Sequence, residues 1–308
     1  MKKRWITLLL LGAMVGVGVF YGYDLFRNLN FASGLFTVGV VWYRYALMLA
    51  VVLLDFVGVT TVGPYAVGVM RLRHPALAGL FLICGLYGLL LGVYSIVAAL
   101  QPLQPLALIL ALLVVIFGVW MLLAAKQLAR QKKPTPTKGA FFGMMGALPL
   151  CLLAGARAMS NPATLHRPLP LINVLSALVV MLWMGTMLHA MYIATVRRRA
   201  KVLYVMGMET FFLCTCLGGA QLAVTIMRGQ FAGLETLQSV LLFLLGLVAA
   251  GLSLALSTGA PEAERLNERP GEDSSFEGGY AEHENDFYNM QSEEADEDRR
   301  LYRAPPKE

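Results

Sequence analysis

Three ionisable residues within apolar stretches are the part of this sequence that could do chemistry. Asp55, His189 and Glu209 each lie inside a run long enough to span a membrane, where charged side chains are costly and usually paired or functional. If the runs are helices, His189 and Glu209 lie on consecutive antiparallel helices, both about 10 Å from the same boundary at 1.5 Å per residue. Asp55 can join them if it lies in the inner half of its own helix.

An acid–imidazole–acid cluster of this kind could relay protons or coordinate a cation in a low-dielectric interior. The alternative is a set of buried polar residues that satisfy one another or face a water-filled vestibule. A metal site with one His and two carboxylates has no support from ligand spacing, and no HExxH, GxSxG or P-loop motif occurs. We therefore predict no catalytic residue, no metal and no cofactor.

A second polar pair lies near the other end of the predicted bundle. Arg44 follows the aromatic residues Trp42 and Tyr43 at the start of an apolar run. Its long side chain can reach water while its stem lies among apolar groups, or it can pair with Asp24. We interpret Asp24 and Arg44 as structural polar residues at the outer edge of the membrane.

The composition excludes an ordinary soluble protein. Hydrophobic residues make up 57% of the chain and charged residues 14%, against about 25% charged in typical soluble domains. After Ala260 the sequence has 15 acids and six bases, whereas the preceding part has four acids and 19 bases. Those bases flank apolar runs, as expected for charges that orient a membrane protein. The excess of bases therefore does not indicate nucleic-acid binding.

The apolar runs predict an all-α fold, a polytopic transmembrane bundle over residues 1–257. A span needs roughly 20 apolar residues, and helices satisfy their own backbone hydrogen bonds in lipid. About eight runs qualify. The number is seven if the basic residues of Met1–Arg4 and the first apolar run together form a signal sequence that is cleaved. They are approximately 5–23, 39–62, 77–99, 103–125, 139–158, 170–194, 203–227 and 235–257.

The loops predict the orientation of the bundle. Lys and Arg near the span ends are concentrated on alternate sides, 14 on one side and four on the other, and the four are Arg27, Arg157, Arg167 and Arg228. The richer side normally faces the cytoplasm. We therefore predict a multi-pass protein of the cytoplasmic (inner) membrane with both termini inside. The basic loops would contact anionic lipid.

The last segment, 258–308, is predicted to be a disordered acidic cytoplasmic tail. It has two Leu and no Ile, Val or Trp, too little apolar surface to offset the entropy of ordering. Such tails usually solvate, but Phe287-Tyr288 and Leu301-Tyr302 are apolar points that could bind a protein partner.

Smaller features concern packing. Gly12 and Gly16, Gly88 and Gly92, and Gly139 and Gly143 have the GxxxG spacing that lets helices approach closely. The four cysteines, all in apolar runs, are expected to be small buried hydrophobic residues. The segment Glu209–Cys216 is unusual in composition but matches no motif.

Three functions fit this sequence. The first is a non-enzymatic membrane subunit or scaffold, which we favour because the membrane interior has so few polar groups. The second is a small proton- or ion-coupled transporter that uses Asp55, His189 and Glu209. The third is a membrane enzyme that acts on a lipid-linked substrate at the same cluster. Each acid would have a local partner in a scaffold, whereas the cluster would meet a cavity in a transporter or an enzyme.

Overall fold

The computed structural model describes residues 2–30, 35–37, 41–62, 74–100, 105–129, 140–160, 167–192, 199–229 and 233–258. The acidic tail beyond Thr258 lies outside these ranges. So do Gly139 of the third GxxxG pair and many of the basic loop residues that predict the orientation.

The described chain is helical almost throughout, because its apolar runs must bond their own backbone groups in lipid. The helices are α1 (Lys2–Asn28), α2 (Val41–Gly58), α3 (Pro75–Leu100), α4 (Pro105–Ala129), α5 (Ala140–Ser160), α6 (Pro168–Tyr192), α7 (Arg199–Thr210), α8 (Gly218–Met227) and α9 (Leu234–Thr258). A 3₁₀ turn (Val59–Thr61) extends α2, and a π-helix (Phe211–Leu217) joins α7 to α8 without a break.

Within the described ranges, seven helical segments are long and apolar enough to cross a membrane, the continuous segment from α7 to α8 counting as one. The eighth segment, α5, has a shorter apolar part, Ala147–Met159, and contains Pro149. The prediction of an all-α polytopic bundle is confirmed. Many large apolar side chains also point away from the bundle, among them Leu90, which is 70% exposed. This outward apolar surface suits lipid as the surrounding solvent.

The centre of the bundle is α9, which packs against α1, α3, α6, α7, α8 and the π-helix. Glycines allow these close contacts. A Cβ at Gly246 would stand 2.2 Å from Oγ1 of Thr215, so α9 lies directly against the π-helix. The α3–α4 pair is equally tight, since a Cβ at Gly118 would stand 2.8 Å from the Leu89 nitrogen. Close backbone approach of this kind is how transmembrane helices gain packing energy.

The first span is longer than its hydropathy predicts. The predicted span is approximately 5–23, but α1 continues to Asn28. A short antiparallel hairpin then pairs Leu29 with Phe36 and Asn30 with Leu35. The apolar run ends at Asp24, but the helix does not. Arg44 of α2 forms a buried salt bridge with Asp24 and neutralises its charge.

The cysteine prediction is wrong at one position. Cys84, Cys214 and Cys216 are buried, as expected, but Cys151 is exposed on α5. A thiol is apolar enough to face lipid, so membership of an apolar run does not decide whether a cysteine lies in the core.

Candidate functional site

The polar pair at one end of the bundle is a buried salt bridge between α1 and α2. Nε of Arg44 lies 2.5 Å from Oδ2 of Asp24, and Nη2 donates to Oδ1 at 3.1 Å. The two side chains are only 5% and 8% exposed. Asn28 adds a bond from Nδ2 to Oδ1 of Asp24 at 2.7 Å. This two-point geometry is the strong form of an Arg–carboxylate contact.

The hairpin after α1 completes the surroundings of Arg44. The guanidinium carbon lies 3.7 Å from the ring centre of Phe36 and 5.0 Å from that of Tyr43. Both rings can stabilise the cation through their π faces. Because Phe36 comes from the hairpin and Tyr43 from α2, the salt bridge fixes this whole corner of the bundle. We had expected Arg44 to reach water or to pair with Asp24, and the structure shows the pairing.

The structure also brings Asp55 of α2 against Glu209 of α7. Their carboxyl groups lie close enough to interact directly, and a hydrogen bond between them would require one of them to carry a proton. Asp55 is fully buried. Within the described part of the chain, neither oxygen of the Asp55 carboxyl group accepts a hydrogen bond from an N–H or O–H group. Two carboxylates in contact repel strongly in a low dielectric, so the pair suits one shared proton or a bound cation.

In the part of the chain that the structure describes, hydroxyl groups lie near this carboxyl pair. The Tyr204 ring lies close enough for the charge of Asp55 to act on its hydroxyl, and that hydroxyl is 3.1 Å from Oγ1 of Thr7. A Cβ at Gly58 would stand 2.6 Å from the same hydroxyl. Oγ1 of Thr61 donates to the Gly58 carbonyl at 2.6 Å. The pair therefore sits where α1, α2 and α7 meet, beside hydroxyl groups.

His189 is not part of this contact. It lies half-buried in the last turn of α6, and the interactions of Asp55 and Glu209 join them to each other and, for Asp55, to Tyr204. Among the described residues, no three His, Cys, Asp or Glu side chains are grouped so that they could hold a metal ion.

The unusual segment after Glu209 is the π-helix. The Gly218 nitrogen donates to the Leu213 carbonyl, five residues back, and Oγ1 of Thr210 donates to the Met206 carbonyl at 2.6 Å. Sγ of Cys214 donates to the Ser176 carbonyl at 3.4 Å. Widened turns of this kind are frequent at functional sites. This one begins two residues after Glu209 and therefore lies next to the carboxyl pair.

A separate cavity of about 480 Å³ lies among α3, α4, α5, α6, α8 and α9. Its polar lining includes Arg157, Asn173, Gln221 and Glu235. Sequence reasoning missed Arg157 as a site residue, since it was counted as a loop charge that sets orientation. It missed Glu235 as well. The signal that could have found Arg157 is its place before the end of a helix, where a charge inside a span requires a partner.

Two hydrogen bonds hold the Arg157 guanidinium on the cavity wall. Nη1 donates to the Asn173 carbonyl at 3.3 Å, and Nη2 donates to Oγ of Ser239 at 3.2 Å. Gln221 is held in turn, because its Nε2 donates to the Tyr21 hydroxyl at 3.0 Å. Two polar side chains of the cavity are therefore fixed by neighbours on other helices.

No protein-family model, no curated protein and no solved structure matches this chain.

Proposed function

We propose that the protein is a small proton-coupled membrane carrier whose proton-binding site is the Asp55–Glu209 pair. The observation that carries this proposal is the direct interaction of two carboxyl groups, of which Asp55 is fully buried and Glu209 is half-buried. Ionisable groups inside spans usually mark proton or ion pathways. A scaffold would instead tie each acid to a local partner, as α1 and α2 do for Asp24.

The neighbourhood supports a reversible site rather than a static one. Thr7 and Tyr204 offer hydroxyl groups from two different helices, and hydroxyls can both accept and donate a proton. The π-helix begins two residues after Glu209, and such segments are frequent at functional sites. A change in the position of α7 relative to α2 would separate the two carboxyl groups and release the shared proton.

Infrared spectroscopy of the purified protein in nanodiscs tests the proton site. A protonated carboxyl group has a C=O stretching band that an ionised carboxylate lacks. We expect this band in the wild type at neutral pH, and we expect the double variant Asp55→Asn with Glu209→Gln to lose it. Glu235→Gln is the matched control, because it removes an exposed carboxyl group and should leave the band unchanged. A band that persists in the double variant, or is absent from the wild type, contradicts the proposal.

Coupling is tested in proteoliposomes that contain a pH-sensitive dye. Gradients of Na⁺, K⁺, amino acids or short-chain carboxylates are imposed in turn. A coupled solute should move protons in wild-type vesicles and not in vesicles with the double variant. If Na⁺ instead protects the wild type against thermal unfolding and the double variant loses this protection, the pair binds a cation rather than a proton.

A second candidate is a membrane subunit that packs against a partner helix. It is favoured by Gly12 and Gly16 on α1, both exposed and with no atom within 4 Å of an added Cβ, a spacing typical of helix–helix interfaces. Replacing both glycines by Leu should remove co-purifying proteins from native membranes and leave the isolated protein as stable as before. Gly185→Leu on α6, at an equally open position, is the control. Unchanged co-purification counts against the subunit role.

Orientation and partners complete the proposal. We propose that both termini face the cytoplasm, that the basic loops contact anionic lipid, and that the acidic tail is available to a protein partner. Protease accessibility of tags at the two termini in sealed inverted vesicles tests the orientation. Protection of either tag would overturn it.

A further inference from the structure

We propose that the cavity beside Arg157 binds an amphiphile, with an oxyanion head group at Arg157 and an acyl chain among the apolar residues beneath it. This inference goes beyond the proposed proton site, which lies on other helices. The volume of about 480 Å³ falls within the range of roughly 300–1,000 Å³ that is usual for small-molecule sites.

Three polar residues that line the cavity lie close to the ends of their helices. Arg157 is three residues before the end of α5, and Thr225 is two residues before the end of α8. Glu235 is the second residue of α9. At 1.5 Å per residue these positions are about 2–5 Å from the helix ends. A head group at this depth lies at the level of the membrane interface.

The apolar lining lies deeper. Leu150 is ten residues before the end of α5, and Phe117 is twelve residues after the start of α4, so both lie about 15–18 Å from the helix ends. Both line the cavity and are buried. A ligand that satisfies both levels must have a charged end and an apolar end, which excludes a small hydrophilic solute.

The charge at the polar end selects an anion. The guanidinium of Arg157 is held toward the cavity by the Asn173 carbonyl and the Ser239 hydroxyl. Guanidinium groups recognise carboxylate and phosphate oxygens in particular. Glu235 is exposed and close enough for its charge to act on Arg157. An ammonium group next to the oxyanion would therefore find a partner in Glu235.

The cavity is also accessible from the lipid-facing side of the bundle. Leu152 and Ala156 line it and are exposed on α5, Leu152 by 41%. An amphiphile can thus enter sideways from the bilayer. Two sources share the required chemistry: a phospholipid with an ammonium-bearing phosphodiester head, and a free fatty acid with a carboxylate.

Photoaffinity labelling in nanodiscs tests the proposal and separates the two sources. The probes are diazirine-bearing acyl chains attached to phosphoethanolamine, to a free carboxylate, or to glycerol as the neutral control. We expect the first two probes to label residues that line the cavity and the neutral probe to label them at least about tenfold less. Glu235→Gln should weaken the phosphoethanolamine probe alone. Equal labelling by all three probes, or labelling confined to lipid-facing residues outside the cavity, would overturn the proposal.

Three variants keep the test independent of folding defects. Arg157→Gln should lower anionic labelling by about tenfold or more, and Arg157→Lys should retain part of it because the charge remains. Ala156→Phe fills the cavity from its lipid-facing side. It should lower labelling by all three probes although the charge of Arg157 is unchanged. Arg167→Gln is the matched control, an exposed arginine just before α6, and should change nothing. If labelling is the same in all four variants, the cavity is not the binding site.

Discussion

Replacing Arg44 by Ala is expected to lower the free energy of unfolding by about 3–5 kcal/mol, because removal of one partner leaves the other charge buried and unpaired. Within the described ranges, Asp24 would keep its hydrogen bond from the Asn28 amide but lose both bonds from Arg44. The Phe36 ring would also lose the cation that it covers at 3.7 Å. The measurement is chemical denaturation of the purified protein in mixed micelles.

Two further variants separate the charge from its packing. The double variant Arg44→Met with Asp24→Leu removes both charges and keeps similar volumes, and it should recover most of the lost stability. Arg27→Gln is the control, since Arg27 lies on α1 as Asp24 does but is exposed. Its guanidinium donates a hydrogen bond to the hydroxyl of Tyr23, which is also exposed. It should change the stability by less than about 1 kcal/mol. An Arg44→Ala variant as stable as the Arg27 control would show that the pair does not hold α1 to α2.

Depth along a helix could be predicted from this sequence, but direction around it could not. Hydropathy places Glu209 at the level of His189, and the fold then turns Glu209 toward Asp55 instead. The side on which a residue faces depends on how its helix packs, and packing in lipid follows small residues rather than a polar–apolar stripe. The carboxyl pair therefore required the structure.

The π-helix adds a second obstacle to prediction. The direction of successive side chains rotates by about 100° per residue in an α-helix. The wider π turns after Glu209 rotate by less per residue. Every later side chain on the same span therefore points in a different direction from the one that α-helical spacing predicts. Gln221 follows the π-helix and reaches Tyr21 on α1, a contact that ideal spacing from Glu209 does not predict. The span itself was predicted correctly because hydropathy is insensitive to such offsets.

Counting the charges near the span ends concealed a site. We counted Arg157 with the charges that set orientation, although the predicted span 139–158 includes it, because bases near span ends usually have that role. The helix α5 continues to Ser160, so Arg157 lies within the bundle and lines the cavity. A basic residue within a few positions of a span end can set the orientation of the protein or can line a site inside the bundle. For Arg157, the contacts with Asn173 and Ser239 decide between these two roles.

Gly18→Ala is expected to lower the free energy of unfolding by about 1–3 kcal/mol, the usual cost of overpacking. An added Cβ would stand 2.8 Å from both Cβ and the carbonyl oxygen of Cys216. The oxygen belongs to the backbone of the π-helix and cannot rotate away as a side chain can. The helix α1 would have to move outward from the π-helix to make room.

Gly16→Ala provides a control on the same helix, two residues away. An added Cβ there meets nothing within 4 Å, so the only effect is the better helix propensity of Ala, a gain of up to about 1 kcal/mol. The two variants should therefore move stability in opposite directions. Equal stabilities would contradict the close contact between α1 and the π-helix.

A compensating change shows which part of Cys216 limits the space at Gly18. Cys216→Gly removes the Cβ contact but leaves the carbonyl oxygen in place, so it should restore only part of the stability lost in Gly18→Ala. A double-mutant cycle measures that coupling directly. Because α1 also carries Thr7, whose hydroxyl lies 3.1 Å from the Tyr204 hydroxyl, an outward shift of α1 should disturb the carboxyl pair as well. The same Gly18→Ala protein should then show an altered protonated-carboxyl band, whereas Gly16→Ala should not.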